Sequence, residues 1–170
     1  MRKIDSRKIL KVAKTWLGTK FHYTGRVKIN SNNKGGIDCI GLIIKVGEEI
    51  NACFNGKNIS YYDYLTYSRY PNQGEMKNFL DKYFLKISEK EIKVGDLVYM
   101  NFADNLEHIG ILSRIGIIHC YVDVGIVANS VGADGINTEA ANRKLGAGLD
   151  TGTFNKSSAL NEKTTGVIGI

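Results

Sequence analysis

The chain has 170 residues, 43% hydrophobic and 24% charged, with a net charge of +6. That balance fits one globular domain with its own core and excludes a membrane-spanning chain, because no apolar run approaches the ~18 residues a spanning helix needs. The basic residues are spread along the chain without a Lys/Arg block or interleaved aromatics, which argues against specific nucleic-acid binding.

In chain order, the opening MRKIDSRKILKVAKTWLG carries charges throughout and reads as no secretory signal, so synthesis in the cytoplasm is expected. Ser6 is placed to cap a first helix running to about Leu17 and closed by Gly18. Ile9, Val12, Ala13, Trp16 and Leu17 fall on one face of it. TKFHYTG follows, and then the polar RVKINSNNKGG, which reads as an exposed loop. From Cys39 to about Asn51 the pattern is helical and apolar on most sides, the mark of a helix buried in mid-domain. A tyrosine-rich connector holding Pro71 leads to a third helix at about residues 75–87.

KVGDLVYMNF, HIGILSR, GIIHCYV and GIVANSV then read as consecutive strands with short turns, hence an antiparallel sheet. Helices first and strands afterwards give an α+β domain, with a central buried helix packed on that sheet. NTEAANRKL is predicted as a last short helix. Residues 146–165 read as a loose tail, and the whole of 1–170 as a single domain.

Three cysteines without a framework spacing predict reduced thiols. A thiol becomes a nucleophile where its thiolate is stabilised, and the first turn of a helix does this through unpaired N–H groups and the dipole. Cys39 stands where Gly35 and Gly36 give way to helix; Cys53 lies at the far end, and Cys120 lies inside a strand. Position therefore favours Cys39, which is predicted to alkylate ahead of the other two; considered alone, a buried cysteine is more often structural.

A nucleophile needs a base, and the base an orienting partner. Alternation puts His108, Gly110 and Leu112 on one face of their strand, and Ile117, His119 and Tyr121 on one face of the next. If the hairpin turns at Arg114–Ile115, with Ser113 opposite Gly116, His119 faces Gly110 and lies diagonal to His108 at about 7–8 Å between backbones. A turn one residue later would part the histidines by roughly 13 Å. The bland alternative is a pair of satisfied sheet histidines. Zinc is the other way to combine Cys39, His108 and His119, but no CxxC or HxxxH pair exists, so neither metal nor cofactor is expected. His22 reads as a surface residue.

WLGTKFHYTG, GGIDCIGLI, KVGDLVYM and HIGIL…IIH come in the order and spacing of the NlpC-type cell-wall cysteine peptidases, which the chain resembles from about Lys11 to Val131. The resemblance implies a compact papain-like fold and a thiol peptidase acting on peptidoglycan peptide stems. It implies Cys39 as nucleophile, His108 as general base, His119 as its orienting partner, and Tyr23, Asp38 and Ile40 as substrate-binding positions. Many members carry serine where this chain has Ile40, and the loop between Tyr23 and Cys39 is longer than in compact members. The bond between D-glutamate and the diamino acid ranks first. Members of this kind act on the wall after delivery by a phage tail or a secretion machine, and a charge of +6 suits an anionic wall. Arg26 is expected either in solvent or against a carboxylate of the stem. An amidase or acyltransferase on another amide is the alternative within the class. A non-catalytic structural or wall-binding phage-tail domain is the alternative outside it.

Overall fold

The computed structural model describes residues 5–69, 74–88, 91–101, 107–122, 124–129, 131–132, 135–136 and 165–169. Helix α1 spans Ser6–Lys14, α2 Cys39–Glu49 and α3 Glu75–Tyr83. Asp5, not Ser6, caps α1, its carboxylate accepting the Arg7 N–H at 2.9 Å. Between α1 and α2, strands β1 (Arg26–Val27) and β2 (Gly36–Ile37) pair, so the segment read as a loop is pinned at both ends. β3 (Cys53–Phe54) and β4 (Lys57–Asn58) form a second small hairpin, followed by a 3-10 turn at Ile59–Tyr62.

The sheet is antiparallel, in the order β5 (Leu85–Lys86), β12 (Thr165–Gly169), β6 (Leu97–Asn101), β7 (Glu107–Ser113), β8 (Gly116–Tyr121) and β9 (Gly125–Asn129). A short pair, β10 (Val131–Gly132) with β11 (Gly135–Ile136), lies beyond it. The α+β class and the helix-on-sheet packing are as read from the sequence. At and beyond the end of the stretch read as a loose tail, Thr165–Gly169 runs as a strand between β5 and β6, pairing Val167 with Val98 and Ile168 with Leu97. The sequence GVIG there has strand character that the surrounding polar, glycine-rich composition hides. The predicted helix NTEAANRKL and most of the tail lie outside the described residues.

Alternation builds the core. Leu97, Tyr99, Ile109, Ile111, Ile118 and Cys120 turn to one face of the sheet and pack on α2 through Leu42, Ile43 and Val46, with Ile9, Ala13 and Trp16 from the α1 region. Val98, Met100 and Ile117 form a smaller cluster with Leu112. Burying a Leu or Ile stabilises by roughly 1.5–3 kcal/mol, so the α2–sheet contact dominates the fold. No helix among the described residues is long and apolar enough to cross a membrane.

α3 is held differently. Gly74, at φ 92°, stands at its N-cap and offers no side chain. Glu107, the first residue of β7, takes that place: its carboxylate accepts the N–H groups of Met76 at 3.0 Å and Lys77 at 3.2 Å, and the Tyr99 hydroxyl at 2.6 Å. A buried carboxylate at a helix N-terminus thus ties α3 to the strand that carries His108.

Candidate active site

Asp38 is the N-cap of α2: its Oδ1 accepts the Gly41 N–H at 2.7 Å, which starts the helix at Cys39. The same carboxylate, 4% exposed, also accepts the Thr24 N–H at 2.7 Å, the Arg26 guanidinium at 3.2 Å and the Tyr67 hydroxyl. Predicted to bind substrate, Asp38 is committed to donors of its own chain. Arg26 is largely buried rather than solvated. It is clamped to Asp63 by two 2.9 Å bonds and shared with Asp38. Tyr23 is half-buried, with its hydroxyl donating to the Tyr67 carbonyl.

On the sheet, Ser113 pairs with Gly116 and Gly110 with His119, the register that brings the histidines together. His108 Nε2 lies 2.8 Å from His119 Nδ1, with the rings 75° apart. Gly110 makes this possible, because a Cβ there would stand 3.0 Å from the His119 Cβ and 2.4 Å from Ile117 Cγ2. Tyr121 completes the group, its ring 5.3 Å from that of His119.

Cys39 joins the two halves. The backbone N–H of Ile109 lies near enough to its sulfur to favour the thiolate, as do those of Ile40 and of Cys39 itself. α2 packs on β7, so Cys39 lies against the strand that carries His108. Ile40, the next residue, turns the other way. It lines a shallow apolar pocket with Tyr64, Tyr67, Met76, Phe79 and Ile109.

The electrostatics of the site differ from the simple helix-start picture. Burial pushes the Cys39 thiol up to about 12, and the Asp38 carboxylate adds to the rise; the three N–H groups pull it back only in part. Burial also lowers His108 to about 3, helped by His119, and lowers His119 to about 4. Near neutral pH the site therefore holds a thiol and two neutral imidazoles. Cys53 is exposed and Cys39 only partly so, which sets access against position in the expected order of labelling. Cys120 is buried, its thiol donating to the Ile37 carbonyl at 3.1 Å and pushed up by burial. His22 is at the surface, as read. No group of three His, Cys, Asp or Glu side chains among the described residues is arranged to hold a metal ion.

The sequence matches the family model described as NlpC/P60 over residues 18–144, more than half of the chain. Among solved structures it is similar to the NlpC/p60 domain of the peptidoglycan hydrolase SagA, at 21% identity over 75% of this chain and 91% of that one, with a TM-score of 0.47. The P60 domain of antigen MAP1204 from Mycobacterium avium subspecies paratuberculosis gives 15% identity, 78% and 89% coverage, and 0.45. RipD from Mycobacterium tuberculosis, a non-catalytic NlpC/p60 domain protein adapted to peptidoglycan binding, gives 16%, 81% and 95%, and 0.46. No curated protein matches the sequence.

Proposed function

The chain belongs to the NlpC/P60 family of peptidoglycan-hydrolase domains, and on that premise we propose that it is a thiol endopeptidase cutting an amide in the cell-wall stem peptide. One observation supports this most: the sulfur at the head of α2 lies against the backbone beside His108, whose ring is bonded to His119.

Because the resting thiol and imidazole are both neutral, proton transfer accompanies attack rather than preceding it. Cys39 Sγ bonds to the scissile carbonyl carbon as its proton passes to His108 Nδ1. This route uses the tautomer in which His108 Nε2–H donates across the 2.8 Å contact to His119 Nδ1 and His108 Nδ1 accepts. The Cys39 N–H, at the helix start, donates to the oxygen as it gains charge. Collapse breaks the C–N bond, and the amine leaves with the proton from His108. Water, deprotonated by His108, then cleaves the thioester and restores the thiol.

The bond between D-glutamate and the diamino acid is the first candidate, with the apolar wall beside Ile40 receiving a non-polar part of the stem. The protein reaches the wall through a phage tail or a secretion machine. The experiment is digestion of purified sacculi with mass spectrometry of the released muropeptides. New free amino groups without new reducing ends are expected from wild type and not from Cys39→Ala. New reducing ends refute the peptidase reading.

A second reading, wall binding without hydrolysis, draws on the raised Cys39 thiol. Retention on sacculi with no release from any wall type favours it.

A further inference from the structure

Arg26 occupies a position that neither nucleophile nor base explains. Its side chain is 14% exposed, and all five guanidinium donors are used. Nε and Nη2 grip Asp63 at 2.9 Å each, Nη2 also reaches the Tyr67 hydroxyl at 3.1 Å, and Nη1 reaches the Gly25 carbonyl at 2.7 Å and Asp38 Oδ1 at 3.2 Å. Asp63 and Tyr67 come from the connector before α3, and Asp38 from the start of α2, so one planar cation joins two remote segments.

The first turn of α2 is shaped around it. A Cβ on Gly41 would stand 2.5 Å from Arg26 Nη1 and 2.6 Å from the Gly25 carbonyl oxygen. Glycine at that position is thus required by the guanidinium lying on the helix, two residues from Cys39. The bridge holds one cation between two carboxylates, and the nearer carboxylate adjoins Cys39.

We propose that Arg26 is a positioning residue for Cys39: by bridging Asp38 and Asp63 it fixes the first turn of α2 and sets the charge that the thiol faces. This rests on the reading of Cys39 as nucleophile. The charge that bears on the sulfur is Asp38, the N-cap of its helix; Arg26 from β1 pairs with that carboxylate and with Asp63 and Tyr67 of the connector, while His108, His119 and Cys120 come from the sheet. The imidazoles are neutral near pH 7, so Arg26 is the cation that offsets Asp38.

The bridge makes opposite demands of its two ends. Removing Arg26 leaves Asp38, which adjoins Cys39, without its cation and disfavours the thiolate. Removing the Asp63 charge leaves Arg26 to Asp38 alone and favours it. A role confined to holding the fold would move both variants in one direction.

The test is the rate of Cys39 alkylation by iodoacetamide, an uncharged probe, between pH 7.5 and 9.5. It is read by mass spectrometry of the Cys39 peptide in a Cys53→Ser background, with thermal melting alongside. Arg26→Gln is expected to slow labelling about tenfold, the equivalent of about one pKa unit. Asp63→Asn is expected to quicken it about threefold. Arg26→Lys keeps the charge without the fork and should fall between Arg26→Gln and wild type. Equal rates in all variants, or shifts of the same sign at both ends, overturn the proposal. If Arg26→Gln does not fold, the opposed signs of Arg26→Lys and Asp63→Asn decide it. Opposed shifts in a protein that releases nothing from sacculi uphold the role of Arg26 and remove the peptidase reading instead.

Discussion

The two halves of the site answer the same difficulty in contrary ways. Both take polar groups out of water. The start of α2 does it with charge: Asp38, Arg26 and Asp63 are all ionic, and each is repaid by partners that leave the guanidinium no unused donor. The β7–β8 pair does it without charge: His108 and His119 share a bond, a glycine clears their space, and burial keeps both neutral. The contrast teaches where each half is vulnerable. The ionic half fails when one member is removed, because its partners stay charged and buried. The neutral half fails when protons are offered to it.

The sharpest way to break the comparison is through turnover. Cys39→Ala is expected to abolish release of amino groups from sacculi, and His108→Asn to lower it by about 10³-fold or more, since a base cannot be replaced by a group that does not titrate. His119→Asn keeps an acceptor for the His108 N–H and should retain a measurable part. Steady-state rates on purified muropeptides decide it. The reverse order of the two histidines would exchange their roles.

Next comes packing at the ionic half. Gly41→Ala forces the Gly25 backbone or the guanidinium to move, and overpacking of this kind costs about 1–3 kcal/mol. Chemical denaturation should show that loss. An unchanged midpoint would mean that the first turn of α2 is looser than the contacts require.

Acid probes the neutral half. Above pH 6.5 the histidines are neutral in both the folded and unfolded chains and contribute nothing. As pH falls below 6.5 the unfolded chain takes up protons that His108 and His119, lowered to about 3 and about 4, refuse. Stability therefore declines as pH falls through that window, by an amount on the order of 2 kcal/mol between pH 7.5 and 5.5. Melting of wild type against His119→Phe measures it, and equal acid slopes in the two would contradict the buried neutral pair.

The smallest effect lies at a carboxylate that belongs to neither half. Glu107→Gln keeps one acceptor for the start of α3 but loses the charge, at a cost of about 1 kcal/mol. A melting temperature within error of wild type would show that Tyr99 and the helix need only a neutral partner.

Of the neutral half, the sequence showed nearly everything geometric. Two short alternating segments around Ser113–Gly116 allow few registers, and one of them brings His119 opposite Gly110. The helix beginning at Cys39 was equally plain from the apolar run after Gly35 and Gly36, although the cap that starts it, Asp38, was expected to bind substrate. The ionic half was not legible. Asp63 lies 37 residues from Arg26 and Tyr67 lies 29 from Asp38, and no periodicity links them. Nothing in the sequence around Gly41 signals the guanidinium packed against it. The raised thiol was also hidden, since a helix start announces its N–H groups while burial depends on everything packed around it. Glu107 escaped notice for a like reason, because it caps a helix that starts far behind it in the chain.

The placement of β12 governs the order in which the sheet is assembled. β6, β7, β8 and β9 follow one another and pair as neighbours, so they can zip together as soon as they are made. β5 and β6 are also close in sequence, yet they do not pair; the strand from Thr165–Gly169 must arrive between them. Until it does, both present bare N–H and C=O rows to any passing strand, including the same segment of another molecule. A nascent chain therefore carries its four-stranded histidine-bearing unit complete while an open slot waits beside it, and that slot is where exchange between molecules would begin.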